Sequence, residues 1–427
     1  MQQNNFNPFG YKSKLDEKYL IIGIDVGKYN QFARFIDYQG NELGRKIVFT
    51  RDKEGLNTLI ANSILLRHRY QKEKVLVAME PTGIYWRNIY EPLPNMDKVI
   101  EPVLVDVNDV NNVKNLYFNG QKTDTIDSLA ISLTAVLKGY KVKRKLTYEQ
   151  EELKKATSIR ESLIKESVKL KNMITGMLDE FFPEYNKVYK GYFCKSSLIL
   201  LQQIMCPEDV CNIDTDTLYS NIKNISNTCI SKKKLLLLKE VAKESIGCKP
   251  TAFDKLMFKN RLHTLIGTLE TLKDIEEEII KLTKDNILIQ RIAKIKGIGV
   301  ISAANIISEI GDVNNFISPK QIIAYAGLNL KIKESGIHKG KTRISKHGNA
   351  KLRAYLYRVI LPLVKQNEDF KSYHNYLKSR KENPLKPLQS LVVLMCKLLK
   401  IIFGMNINNT DYNPAMAFGN TSLKAAS

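Results

Sequence analysis

The sequence predicts an α/β domain followed by a largely helical remainder. Three observations carry that class. The run Leu20-Ile21-Ile22-Gly23-Ile24-Asp25-Val26-Gly27-Lys28 is apolar and β-branched, the signature of a strand buried on both faces. Strand-like and helix-like runs alternate from there to Leu137. From residue 148 onward apolar residues recur at spacings of three and four, as on helices. At 427 residues the chain exceeds one core, so two or three domains are expected.

After the opening strand, Gln31–Tyr38 and Arg45–Thr50 read as two more strands, joined at Gln39-Gly40-Asn41, a turn signal. The three form an antiparallel meander. Asp52–Tyr70 reads as a helix with Leu56, Leu59, Ile60 and Ile64 on one face. Lys74–Met79 is an apolar strand that ends at Glu80-Pro81-Thr82-Gly83, and a helix is expected to start near Ile84. Pro102–Val105 is a further short strand. A helical piece, a loop at Asn119-Gly120 and a helix from Asp124 to Leu137 follow. The order β-β-β-α-β-α-β-α is that of an RNase H-like nuclease fold.

That order gives four acids a geometry. Asp25 is on the first strand and Glu80 ends the strand after the first helix. Asp124 and Asp127 share one face of a helix turn. An acid in a core strand is costly to bury unless something pairs with it. Converging carboxylates also raise one another's pKa. Hard divalent cations resolve both problems, and Mg²⁺ prefers carboxylate and phosphate oxygens. Two such ions about 3.5–4 Å apart clamp the attacking and leaving oxygens of a phosphodiester. Each acid taken singly also fits a solvated strand end or helix face; the quartet in this strand order points to a Mg²⁺ site.

The helical region opens with residues 148–182, where Leu153, Ala156, Ile159, Leu163, Leu170, Met173, Met177 and Phe181 recur at helical spacing until Pro183. Phe253–Leu282 repeats the habit. The two either pair as an antiparallel hairpin, seam against another subunit, or join an ordinary bundle. Residues 184–250 between them form an insert with five of the six cysteines and the basic run Lys232-Lys233-Lys234. Ile295-Lys296-Gly297-Ile298-Gly299-Val300, before an apolar helix to Ile310, has the pattern of a helix-hairpin-helix turn. There Gly297 and Gly299 would let backbone N–H groups meet a DNA phosphate; a plain Gly-rich turn has the same composition. Past a short helix from Gln321, Lys331, Lys333, Lys339, Lys341, Arg343, Lys346, Lys351 and Arg353 crowd one loop and the helix after it, a density suited to tracking a phosphate backbone. Ser335, next to Gly336 among these cations, is a candidate nucleophile, since nearby positive charge stabilises an alkoxide and the transferring phosphoryl group. Ser345 is a second candidate. The rest is helical from Lys351 to about Met405.

Lys and Arg number 66 against 44 Asp and Glu, a formal net charge of +22, which suggests a polyanionic partner, nucleic acid above all. A Lys-rich protein of an AT-rich genome would carry the same excess. The cysteines form no CxxC pair, so they read as thiols of a reducing cytoplasm, not zinc ligands. The start is polar and Asn-rich, without a signal-peptide pattern. The apolar stretch Leu391–Phe403 is short and interrupted by Lys397 and Lys400; it reads as a core helix, and no membrane partner is expected.

The motifs together resemble the DEDD insertion-sequence transposases, the bridge-RNA-guided serine recombinases. They are Ile24-Asp25-Val26-Gly27-Lys28, Glu80-Pro81-Thr82-Gly83-Ile84-Tyr85-Trp86, Lys122-Thr123-Asp124-Thr125-Ile126-Asp127, Lys171-Asn172-Met173 leading to Phe182-Pro183-Glu184, and Gly297-Ile298-Gly299 with Glu309-Ile310-Gly311-Asp312. Gly327-Leu328, Ser335-Gly336, Ile344-Ser345-Lys346-His347-Gly348-Asn349 and Leu352-Arg353 complete them. The resemblance covers about residues 19–405.

It implies a flexible arm at 1–18, a RuvC-like domain at 19–147, a coiled-coil or helical region at 148–290, a transposase domain at 291–405 and a tail at 406–427. It implies Mg²⁺ held by Asp25, Glu80, Asp124 and Asp127, with Lys122 among the nucleic-acid contacts, and Ser335 as the serine that links transiently to DNA. It further implies donor and target DNA, a structured guide RNA, a composite site in a dimer or tetramer, and a bacterial cytoplasmic enzyme acting at the nucleoid. Glu334, before the serine, stands where family members often carry a small polar residue. The main alternative is a metal-dependent, structure-selective nuclease that uses only the acids. An actin-like ATPase or sugar kinase would need a second Gly-rich phosphate turn, which the sequence lacks; a non-catalytic scaffold leaves the buried acids unexplained.

Overall fold

The structure is a computed structural model. It describes residues 11–12, 15–120, 123–141, 146–225, 231–331, 334–335, 338–339 and 343–419. For residues 11–12, 141, 221–222, 224–225, 334–335 and 338–339 it describes the backbone alone. The chain divides into two compact units, one of residues 1–145 with 320–348 and the other of 146–319 with 349–427. Residues 320–348 fall within the sequence segment 291–405 and share a unit with 1–145.

The first unit is built on a mixed sheet. In chain order it runs β1 (Tyr11–Lys12), β2 (Tyr19–Val26), β3 (Asn30–Ile36), β4 (Ile47–Thr50), α1 (Lys53–Arg69), β5 (Lys74–Met79), α2 (Arg87–Tyr90), α3 (Leu93–Met96), β6 (Ile100–Leu104), α4 (Val107–Phe118), α5 (Asp124–Leu137) and β7 (Tyr140–Lys141). The seven strands lie in the order β1-β7-β6-β5-β2-β3-β4. β2, β5 and β6 are parallel neighbours, while β3 and β4 extend the sheet antiparallel. Asp52 caps α1 by accepting from Gly55 N at 2.8 Å.

β2 alternates between two cores. Leu20, Ile22 and Ile24 pack with Val75, Val77 and Met79 of β5 and with Leu56 and Leu59 of α1. Ile21 packs with Leu76, Ala78 and Val103, with Val110 and Val113 of α4, and with Ala130, Ile131 and Ala135 of α5. Each fully buried aliphatic side chain contributes about 1.5–3 kcal/mol. Asp25 follows Ile21 and Gly23 in the period of two, and therefore falls on the α4–α5 face.

Several expectations are corrected. The arm does not stay loose throughout, since β1 pairs with β7 at the sheet edge; residues 1–10 lie outside the described residues. The single helix expected from Ile84 is two one-turn helices, because Pro92 and Pro94 interrupt it.

Residues 330–344 carry four two-residue strands, β8 (Leu330–Lys331), β9 (Glu334–Ser335), β10 (His338–Lys339) and β11 (Arg343–Ile344), which pair as β8 with β11 and β9 with β10.

The second unit is helical: α6 (Tyr148–Phe181), α7 (Tyr185–Val188), α8 (Lys195–Leu201), α9 (Pro207–Asn212), α10 (Thr215–Ile225), α11 (Lys232–Lys243), α12 (Ala252–Leu282), α13 (Ile287–Ala293) and α14 (Val300–Ile310). After α15 (Pro319–Tyr325), which leads into the 320–348 segment, come α16 (Ala350–Gln366), α17 (Glu368–Ser379), α18 (Pro387–Ile407) and α19 (Pro414–Phe418). Thr147 and Thr251 start the two long helices with capping boxes completed by Gln150 and Asp254. α6 and α12 pack antiparallel: Arg160 meets Glu276 at 2.6 Å, and Arg261 reaches Met177. The stretch expected to be helical from Lys351 to Met405 is three helices, broken after Gln366 by the Asn367 cap and again between α17 and α18. The tail is not wholly loose, because α19 docks Phe418 against Phe370. Among the described residues only α18 is long and apolar enough to cross a membrane; here Leu394, Leu398, Leu399 and Ile402 are buried and the helix packs on α16 and α17. Five of the cysteines are free thiols and Cys229 lies outside the described residues.

Gly23 is where α5 crosses β2. A Cβ there would stand 2.1 Å from Ser128 O and 2.6 Å from Ser132 N, both backbone atoms. Gly23→Val is expected to lower the unfolding free energy of this unit by about 3 kcal/mol or more, read from urea unfolding. Gly191→Ala, in a loop where a Cβ meets nothing within 4 Å, is the control and should stay within about 0.5 kcal/mol of the parent.

Candidate active site

Asp25, Glu80, Asp124 and Asp127 line one cavity of about 520 Å³ in the first unit. The sheet register explains the first two. Ile24 of β2 pairs with Met79 of the parallel β5, so Asp25 and Glu80 come next on adjacent strands. α5 supplies the other two from its first turn, where Thr123 caps the helix by accepting from Ile126 N at 3.2 Å. Acids are favoured there because a helix N-terminus carries partial positive charge. α4 supplies the remaining wall: Asn111, Lys114 and Asn115 share one helix face toward the cavity, while Val110 and Val113 are buried in the core.

The electrostatics follow from this crowding. Burial, with the charges of Asp127 and Asp124 and more weakly of Glu80, pushes the Asp25 carboxyl from its ordinary 3.8 up to about 6, against the opposing pull of Lys114. Lys114 Nζ stands 2.9 Å from Asp127 Oδ1, and both side chains are largely buried. The contact is an ion pair by distance, yet Oδ1 accepts no directed hydrogen bond.

A divalent cation fits this donor set in one particular way. Among the described residues no three His, Cys, Asp or Glu side chains form a ready-made metal-holding group. Mg²⁺ does not need one, since it keeps several waters and uses one or two carboxylates completed by substrate phosphates. A cavity whose ionisable walls, among the described residues, are four carboxylates and one lysine suits a hydrated, substrate-completed ion.

The other residues singled out from the sequence are placed as follows. The Ser335 backbone pairs with His338 across β9 and β10. Ser345 donates its hydroxyl to Asn329 Oδ1 at 2.6 Å. Lys331, Arg343 and Lys346 are exposed, and Lys339 has its backbone in β10. Lys122, Lys333 and Lys341 lie outside the described residues. In the second unit, Gly297 adopts φ +100 and packs against α16, where a Cβ would meet Leu363 Cα at 3.1 Å. Gly299 caps α14 and faces open space. Arg353 is half-buried on α16. Beside it Asn349 caps that helix and donates to Glu309 Oε2 at 2.7 Å.

The sequence reading missed Thr82, Asn111, Lys114 and Asn115 as cavity residues. The signal was present: Asn111, Lys114 and Asn115 stand at helical spacing along the border of the apolar stripe that Val110 and Val113 begin. It also missed Arg51, which stacks on the Tyr85 ring at 4.1 Å in the loop that follows Glu80.

A family model described as a transposase, of the DEDD IS110 type, matches residues 22–183. A second, described as a transposase of the IS116/IS110/IS902 family, matches residues 289–375. The chain is 27% identical to the transposase for insertion sequence element IS1111A of Coxiella burnetii over 87% of its length and 86% of the relative's. It is 22% identical to the uncharacterized 44.8 kDa protein of insertion element IS116 from Streptomyces clavuligerus, over 92% of its length and 96% of the relative's. A 34% identity to the transposase for element IS1328 of Yersinia enterocolitica covers 22% of the chain and 29% of that relative. These findings define an insertion-sequence DNA transposase. The chain belongs to the IS110/IS116 family of transposases.

Asp25 gives the cavity a pH signature. In the unfolded chain it loses its proton near 3.8 and in the fold near 6, so the folded state binds more protons between those values. Stability is therefore expected to fall as pH rises from about 4 to about 6 in a chelator, by about 2 kcal/mol once solvent screening is allowed for. Asp25→Asn should flatten that slope in urea unfolding measured across the same window.

Proposed function

We propose that the acid-lined cavity is the catalytic centre of a RuvC-like, RNase H-like domain that cuts and rejoins DNA, with Ser335 as nucleophile. The observation that carries this reading is that acids from β2, from the end of β5 and from the first turn of α5 line a single cavity. Residues 320–348, which include Ser335, belong to the same compact unit, and this supports bringing a hydroxyl to that chemistry. Asp25, Glu80, Asp124 and Asp127 would hold Mg²⁺. When bound, the metal supplies charge stabilisation for the oxygens of the scissile phosphate.

The chain's own part is positioning and nucleophilic attack. Ser335 Oγ forms a bond to phosphorus as the bond to one deoxyribose oxygen breaks, and the serine proton is matched by one taken up at the released hydroxyl. The number of phosphate ester bonds is unchanged, so the strand is resealed by the reverse step without ATP. Ser345 is the weaker candidate, because its hydroxyl is engaged by Asn329. Exposed Lys331, Arg343 and Lys346, with Arg353 and the Gly297–Gly299 turn, would track the DNA backbone. The net charge of +22 and the family resemblance also support a structured RNA partner and an assembly of several subunits.

With Mg²⁺ and element-end DNA, Ser335→Ala is expected to abolish a covalent protein–DNA adduct on denaturing gels while DNA binding persists. Asp25→Ala and Asp124→Ala are each expected to lower recombination by at least about a hundredfold. An adduct of undiminished yield in Ser335→Ala would remove that serine from its role. Cleavage that persists in Ser335→Ala without any adduct would favour hydrolysis by water, the activity of a metal-dependent nuclease.

A further inference from the structure

A lysine stands inside the acid-lined cavity. Lys114 Nζ lies 2.9 Å from Asp127 Oδ1 with only 14% of its side chain exposed. Among the described residues that line the cavity, Lys114 is the one with a positive charge, facing Asp25, Glu80, Asp124 and Asp127. Its place on α4 holds it there, because Val110, one turn earlier on the same side of the helix, and Val113, the residue before it, are buried in the core, so Lys114 projects from the edge of the buried face. A surface lysine could swing away into water at little cost; this one is confined. Four carboxylates that line one cavity repel one another unless a positive charge stands among them.

We propose that Lys114 is the resident countercharge of the cavity, paired with Asp127 while no divalent cation is bound and displaced from that partner when one enters. The proposal rests on the reading of the cavity as a divalent-cation site. Its physical content is competition between charges. An entering cation is attracted by the carboxylates and repelled by the ammonium, so Lys114 weakens uptake of the ion by the free protein. The same ammonium holds the acids together before the ion arrives. Lys114 is thus a positioning residue whose effect is read on the ion and on the fold, apart from turnover.

The test uses the full-length protein without DNA and Mn²⁺ as the probe ion, with free Mn²⁺ followed by electron paramagnetic resonance. Lys114→Met and Lys114→Gln remove the charge, with Gln keeping polar reach should Met not fold; Lys114→Arg keeps the charge. Both neutral variants are expected to bind Mn²⁺ on the order of tenfold more tightly than the parent, and Lys114→Arg to stay within about twofold of it. In a chelator the neutral variants should melt below the parent, and Mn²⁺ should raise their melting temperature by more than it raises the parent's. Equal Mn²⁺ affinity in parent and neutral variants, with the parent binding the ion, would overturn the countercharge and leave the cation site standing. Unchanged melting in the chelator would overturn it as well. No Mn²⁺ uptake by parent or any variant would remove the cation-site reading itself, and the competition with it.

Discussion

At Gly23 the backbone of α5 lies so close to β2 that Ser128 O and Ser132 N leave no room for a methyl group. The site depends on this approach. Asp25 is two residues further along β2, and Asp127 is the residue before Ser128. Seating the helix directly on the strand therefore brings the first turn of α5 to the strand ends. A residue with a side chain at position 23 would lift α5 and carry Asp124 and Asp127 away together. A glycine in a strand interior normally weakens it; here that cost is set against a close contact that no other residue allows.

The same closeness creates the electrical problem the cavity has to solve. Three local devices lessen it. The acids of α5 occupy a helix N-terminus, whose dipole favours them. Thr123 meets the Ile126 N–H, so neither Asp124 nor Asp127 is needed as the cap. Lys114 neutralises Asp127 from the side. What is left falls on Asp25, whose proton is held up to about 6. A chain of net charge +22 thus keeps an acid-lined pocket. Under the proposed reading, a cation at the pocket would let an acid-lined cavity of a basic chain accept a polyanion.

How much of this was legible follows the range of the interactions involved. Local signals read well: Lys74–Met79 and Asp124–Leu137 have the bounds read from the sequence, and the helix read over Asp52–Tyr70 is α1 with Asp52 and Tyr70 as its caps. The pairing of β1 with β7 was not legible, because two-residue strands carry no periodicity and their partners are far apart in sequence. The one-turn helices α2 and α3 were merged in the reading, although Pro92 and Pro94 mark the break. That the four acids line one cavity was legible from strand order, since a parallel β2–β5 pair puts Asp25 and Glu80 in register. Lys114 was not, because a lysine on a helix is usually a solvated face. Its direction shows only in the folded chain, where its side chain is largely buried and meets Asp127.

In the second unit a long excursion of the chain separates α6 from α12. The chain leaves at Phe182 and returns at Cys248, whose N–H donates to Glu180 O at 2.9 Å. Glu184, just past the exit, accepts from Ser245 and from Ile246 N at the re-entry. The ends of the excursion are thus tied to each other at the tip of the α6–α12 hairpin. Its interior is tied as well, since Phe182, Tyr185, Leu200 and Leu238 are buried in one core with Leu262 and Leu265 of α12. Closing a longer loop costs only slowly more as it lengthens. An excursion closed at its base and packed on its own core can grow without changing how α6 and α12 meet. The hairpin's register is set elsewhere, by pairs such as Arg160 with Glu276 along its length.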